Sequence, residues 1–153
     1  MEWPATWNSM VAGQQCSFCA RGRVLDSPDR LLIRTTEVTD TYMPRRALVR
    51  GYVVVVWQAQ HVVEPHHLND AEAAAFHSEV LRVGRAIEAC FRPMKINYMT
   101  AGNEVPHLHT HVTARYFDDP APGAPLPAGQ NHPMPEAQWH ADAQAMRREL
   151  GRG

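Results

Sequence analysis

The chain has little of several things. Lys95 is the only lysine, net charge at neutral pH is −1, and 15 Lys and Arg stand against 16 Asp and Glu. Such a balance gives no bulk basic field, and nucleic acid is not expected as a partner. Long apolar runs are absent too. The most apolar one, residues 52–57, is far too short to span a bilayer, so no membrane role is expected. Glu2, Trp3 and Pro4 do not make the positive-then-apolar pattern of an export signal, which leads us to expect a cytoplasmic protein. Three cysteines are an odd and small count and argue against a disulfide framework. No internal repeat breaks the 153 residues into units. A 44% apolar and 20% charged composition is ordinary for one globular domain with a core of its own.

What is present centres on Pro106-His107-Leu108-His109-Thr110-His111-Val112. A β-strand sends alternate side chains to one face, so this spacing predicts that His107, His109 and His111 point the same way. Val105, Val112, Thr113, Tyr116 and Phe117 favour a strand here. Three imidazoles on one face are hard to explain as packing and mark a site.

Cys16-Ser17-Phe18-Cys19 is a C-x-x-C, readable as half a zinc site or a redox pair. Redox chemistry of the thioredoxin kind wants a βαβ context, and none is legible. In a reducing compartment the pair reads better as thiolate ligands than as a bridge. Cys90, beside Phe91 on an apolar helix face, reads as a small buried hydrophobe.

The remaining elements follow from pattern. Trp3 and Trp7 lie one helical turn apart in an N-terminal arm, residues 1–15. Residues 23–26 and 31–38 read as strands about a Ser27-Pro28-Asp29 turn, with residues 39–43 continuing the second or forming another. Residues 51–57 form a valine-rich run, expected as a central strand buried on both faces. Asn69-Asp70-Ala71-Glu72 is a capping box opening a long helix, with an apolar stripe of Phe76, Val80, Val83, Ile87 and Phe91, ended by Pro93. Residues 94–100 read as a strand before the triple-histidine strand. Residues 117–135 are a Pro/Gly/Ala-rich surface arm, and residues 136–150 a closing helix. The arginines of residues 45–50 read as solvated charge, or as a contact for an acidic or phosphorylated group.

His107-Leu108-His109-Thr110-His111-Val112-Thr113 resembles the motif of the histidine-triad family, in its zinc-binding C-x-x-C form. Gly102-Asn103-Glu104-Val105-Pro106 is similar to the glycine-amide loop before that motif. The C-x-x-C, the strand from Gly51, His61 and the helix over residues 70–92 fall in the family's order and spacing, so the resemblance covers residues 16–122. It implies an α+β fold: an antiparallel sheet of about five strands with one long helix, to which residues 123–153 add the Pro-rich arm and a C-terminal helix. It also implies a homodimer, and a nucleotide hydrolase or nucleotidyl transferase acting at the α-phosphate of a nucleoside phosphate conjugate. His109 would be the nucleophile, with His111 assisting on the phosphate oxygens, His107 completing the triad, and Asn97 and Asn103 near the phosphate or leaving group. Cys16, Cys19, His61 and His107 would hold a structural zinc, with His61 preferred to His66, and no catalytic cofactor is expected.

Three positions depart from the family's pattern. Tyr52 follows Gly51 where a histidine is usual. Met43-Pro44-Arg45-Arg46 stands where an acidic ribose contact is expected, with Asp40 the nearest acid. Thr110 occupies an apolar slot. Two rival readings are a metal-dependent hydrolase with His107, His109 and His111 as ligands, and a non-catalytic nucleotide-binding module.

Overall fold

The computed structural model describes residues 3–23, 25–127 and 129–151. In chain order the elements are α1 (Trp7–Val11), α2 (Ser17–Arg21), β1 (Arg30–Thr35), β2 (Thr39–Pro44), β3 (Arg46–Ala47), β4 (Tyr52–Trp57), α3 (Asp70–Phe91), β5 (Lys95–Met99), β6 (His109–Arg115), β7 (His132–Pro133) and α4 (Glu136–Leu150). A single 3-10 turn, Pro65–His67, precedes α3. The fold is α+β, with an antiparallel five-stranded sheet in the order β1-β2-β4-β6-β5 and two long helices.

β4 sits in the middle of that sheet, and its valines serve both faces. Val53, Val55 and Trp57 join the main core with Phe76, Val80, Val83 and Ile87 of α3 and Trp139, Ala143 and Met146 of α4. Val54 and Val56 face the other way, with Tyr42, and collect Phe18, Leu32 and Tyr52. This double burial is why the run is apolar throughout instead of alternating.

α3 starts at the capping box: the Asn69 side chain accepts from the Glu72 backbone, and the Glu72 carboxylate accepts from the Asn69 backbone. It ends at Arg92, in the left-handed region at φ 48°, immediately before Pro93. Gly51 opens β4 at φ +80°; a Cβ there would lie 2.9 Å from that of Ala114, so β4 and β6 approach closely only because the residue is glycine.

Two expectations need correction. Residues 31–38 are not one strand: the Thr36 hydroxyl accepts from the backbone N–H of Val38 and Thr39 and turns the chain between β1 and β2. Arg23, Leu25 and Asp26 are outside any ladder, and Val24 lies outside the described residues; the Asp26 carboxylate is taken by the Leu32 N–H and by Arg147. Glu79 of α3, off the apolar stripe, is also buried, at 7% exposed, and pairs with Arg34 Nε at 2.8 Å.

The arginines of residues 45–50 are neither free nor merely solvated. Arg45 stacks on Trp139, Arg46 donates to the Asn131 carbonyl beside the β3–β7 pair, and Arg50 makes a two-pronged bond to Asp142 of α4 at 2.7 and 2.5 Å. They fasten the Pro-rich arm and the last helix to the body. Arg115 does the same for the arm's first turn, bonding Asp119 and the carbonyls of Ala121 and Ala124. Trp3 and Trp7 pack on each other, with ring centroids 4.6 Å apart. Among the described residues no helix is long and apolar enough to cross a membrane.

Candidate active site and metal centre

The site lies on the face of the sheet away from α3. Alternation along β6 sends Val112 and Ala114 into the main core and His109 and His111 to the opposite face. In register, His109 stands opposite Val56 and His111 opposite Val54, while Val56 pairs in turn with Asp40 and Val54 with Tyr42. The two histidines therefore border the apolar patch of Val54, Val56, Tyr42 and Leu32. Phe18 of α2 covers it, its ring 5.3 Å from that of His109 and 5.4 Å from that of His107.

β6 begins at His109, so His107 stands just ahead of the strand. Two bonds hold that lead-in: Leu108 N–H donates to the Val62 carbonyl, and Trp57 N–H to the Leu108 carbonyl. His107 thus faces a different neighbourhood from the other two histidines.

Bonds to backbone carbonyls fix the tautomers of His107 and His109, because a carbonyl only accepts. His109 Nδ1 lies 2.6 Å from the His107 carbonyl, so the proton is on Nδ1 and Nε2 carries the lone pair. His111 Nε2 is 3.1 Å from His109 Nε2 and donates to it. His111 Nδ1 is then an acceptor, and the Tyr52 hydroxyl donates to it at 2.7 Å. Tyr52 and His111 also stack, 12° from parallel.

Burial keeps these imidazoles neutral. It lowers His109, against weaker upward pulls from the His107 carbonyl and Glu104, and it lowers His111, together with the neighbouring His109, to about 4. Tyr52 is pushed up by burial, and secondarily by Glu104, to about 12, so its hydroxyl keeps its proton.

The second cluster is formed by Cys16, Cys19, His61 and His107, whose ligand atoms all lie within 4.8 Å of one another. His107 Nδ1 is 3.4 Å from Cys16 Sγ and 3.5 Å from Cys19 Sγ; His61 Nδ1 is 3.3 Å from Cys19 Sγ. Each histidine spends its other nitrogen on a carbonyl: His107 Nε2–H donates to Trp57 at 2.7 Å and His61 Nε2–H to Val11 at 3.0 Å. Both Nδ1 lone pairs are thereby left facing the sulfurs. A tetrahedral zinc ion holds neighbouring S and N ligand atoms about 3.3–3.8 Å apart, and the donor set fits that ion. Burial, and then the Cys16 thiol, raise Cys19 to about 11, so two thiolates would not form here without a cation beside them.

The other expected site residues fall as follows. Asn97 is opposite Thr113 on β5 and accepts from Arg115 Nη1 at 2.6 Å. Asn103 is exposed in the turn ahead of Pro106. His66 is exposed on the 3-10 turn, against His67, outside the cluster. Asp40 is fully buried and bonded by Thr35 and Tyr42, so it is not presented on the site's surface. The Thr110 hydroxyl is absorbed by Thr100 at 2.6 Å. Sequence reasoning missed the places of Tyr52 and Phe18. The first was visible only as a departure after Gly51, the second as a spacer inside the C-x-x-C.

Comparison with known proteins agrees with this fold. The model of the HIT domain family matches residues 26–118. A histidine triad protein from Bradyrhizobium japonicum is 25% identical, covers 83% of this chain and 97% of its own, and superposes with a TM-score of 0.74. A histidine triad protein from Sinorhizobium meliloti is also 25% identical, with coverages of 79% and 90% and a TM-score of 0.71. A Zn-bound histidine triad family protein from Mycobacterium smegmatis shares the fold at 18% identity, with coverages of 96% and 93% and a TM-score of 0.60. No curated protein matches the chain. With its strand of alternating histidines, its five-stranded sheet and a family match over most of its length, this chain belongs to the histidine-triad, or HIT domain, family.

Proposed function

We propose that the chain is a nucleotide hydrolase or nucleotidyl transferase, acting at the α-phosphate of a nucleoside phosphate conjugate such as a dinucleoside polyphosphate or a phosphoramidate. One observation carries the reading: the Nδ1 proton of His109 is anchored on the His107 carbonyl, which leaves the Nε2 lone pair on the side of His111. A neutral imidazole held in that tautomer is a nucleophile at neutral pH. Nε2 attacks the α-phosphorus, the bond from phosphorus to the leaving group breaks, and the leaving group departs with the electron pair. Water or another acceptor then takes the nucleotidyl group from His109. The Nε2–H of His111 turns from His109 to a phosphate oxygen as negative charge develops there. Asn97 and Asn103 supply amides near the phosphate or leaving group. The apolar patch under Phe18 gives the nucleoside a place to lie beside His109.

In this reading Cys16, Cys19, His61 and His107 hold zinc, as the Mycobacterium smegmatis relative's zinc also suggests. A closed Cys₂His₂ site is structural: it ties α2, and with it Phe18, to the lead-in of β6. The histidine-triad unit spans residues 16–122, with residues 1–15 and 123–153 as appendages. We place two such units in a homodimer along β5 and α3; Leu81, Met94, Tyr98 and Met99, 38–53% exposed, support that edge. The geometry speaks against the three histidines sharing one catalytic metal. His107 spends its ring nitrogens on Trp57 and the cysteines, and His109 Nδ1 is taken by a carbonyl.

Intact-protein mass spectrometry after incubation with an adenosine or guanosine phosphoramidate tests the reading. Wild type gains the mass of one nucleoside monophosphate, and His109→Ala gains none. Tight nucleotide binding without any adduct or turnover would favour the binding module instead.

A further inference from the structure

We infer that Tyr52 is a positioning residue for the triad: its hydroxyl holds His111 in the tautomer that donates from Nε2. The inference rests on the nucleotidyl-transfer reading above. Its observation is a single-direction chain of hydrogen bonds: Tyr52 O–H to His111 Nδ1 (2.7 Å), His111 Nε2–H to His109 Nε2 (3.1 Å), and His109 Nδ1–H to the His107 carbonyl (2.6 Å).

Only the carbonyl end of that chain is fixed by chemistry that cannot reverse. The middle ring, His111, has two tautomers. With the proton on Nδ1 it would aim a lone pair at the lone pair of His109 Nε2, and it would offer no donor to a phosphate oxygen. A phenol hydroxyl at Nδ1 favours the other tautomer, because it donates there. Tyr52 suits the task in three ways. It is more than half buried against the Val54–Val56 patch, it stacks 12° from parallel on the ring it bonds, and it begins β4, whose Val54 is the register partner of His111. The hydroxyl therefore approaches along the edge of the imidazole from a strand, not from a loop. During transfer the His111 Nε2–H moves from His109 to a phosphate oxygen, and the Tyr52 bond persists. No proton is gained or lost by Tyr52.

The full-length, metal-loaded protein tests this with ¹⁵N-labelled histidine. Long-range ¹H–¹⁵N spectra of wild type should give His111 as protonated on Nε2 and bare on Nδ1. Tyr52→Phe keeps the ring and its stacking and removes only the donor, and should give a mixture of His111 tautomers. Its rate of adduct formation should fall about tenfold, the worth of one neutral hydrogen bond, while affinity for the free nucleoside monophosphate stays within about twofold. A wild-type His111 protonated on Nδ1 would overturn the inference even if the variant did not fold. So would a Tyr52→Phe protein that kept both the wild-type tautomer and the wild-type rate. A wild type that forms no adduct refutes nucleotidyl transfer and not the hydrogen bond, whose spectra are read without turnover.

Discussion

His109 Nδ1 lies 2.6 Å from the carbonyl oxygen of His107, two residues earlier on the same strand lead-in, and this contact decides which end of the His109 ring is free. The backbone of one triad histidine thus orients the side chain of the next. Meanwhile the His107 ring turns away, to Trp57 and the cysteines. The three histidines are one motif in sequence and three different jobs in space.

The rank order of substitutions follows. His109→Ala should abolish adduct formation. His111→Ala should slow it by roughly 10²–10³-fold, the cost of losing one transition-state donor. His107→Ala should fail differently, through lost metal and stability. Single-turnover kinetics beside thermal melts would separate these; equal rate losses with equal melting temperatures in all three variants would contradict the assignment.

Metal content gives a second expectation. The protein should carry about one zinc per chain by elemental analysis. Cys19→Ser and His61→Ala should each reduce zinc retention and lower the melting temperature. EDTA should strip the ion slowly, with loss of structure, because the four donors close around it. Rapid loss of turnover with the fold intact would point to a catalytic metal.

Acid should destabilise the protein in a defined window. Burial, with His109 as the second cause, brings His111 down to about 4, whereas an unfolded imidazole titrates near 6.5. Between those values the unfolded chain binds more protons than the folded one, so stability rises with pH across that interval and is lost as pH falls through it. His111→Gln should flatten this share of the urea-midpoint profile, worth about 3 kcal/mol in full. Adduct formation should keep its rate to pH values below 6.5, since His109 is lowered as well. A rate that falls off at the ordinary histidine value would oppose this picture.

The C-terminal helix has its own test. Asp142 is 3% exposed and holds Arg50 by two bonds, with Gln138 on the same carboxylate. Asp142→Ala takes both bonds from the half-exposed Arg50 guanidinium and one from Gln138. It should cost about 1–2 kcal/mol, seen as a melting-temperature drop of roughly 3–6 °C for a chain of this size. An unchanged melt would mean that α4 is held by Trp139, Ala143 and Met146 alone.

Local signals were legible in the sequence: the Asn69–Glu72 capping box, the apolar stripe of α3, the valines of β4, the alternating histidines and the C-x-x-C. Each of these depends on residues close along the chain. Tyr52 was not legible as a partner of His111, because 59 residues separate them and only the β4–β6 register brings them together. Asp40 looked available because it is acidic and nearby, yet a strand position decides burial, and its carboxylate points into Thr35 and Tyr42. The arginines after Pro44 looked solvated until the arm and α4 folded back on them. Thr36 read as part of a β run, and its hydroxyl instead captured two backbone N–H groups.

The most direct test of the central claim is where the nucleotidyl group sits. Peptide mapping of the trapped adduct at alkaline pH, followed by fragmentation, resolves the histidines of residues 107–111. The free Nε2 predicts the nucleoside monophosphate on His109 alone. An adduct on His111 or His107, with His109 unmodified, would contradict the account.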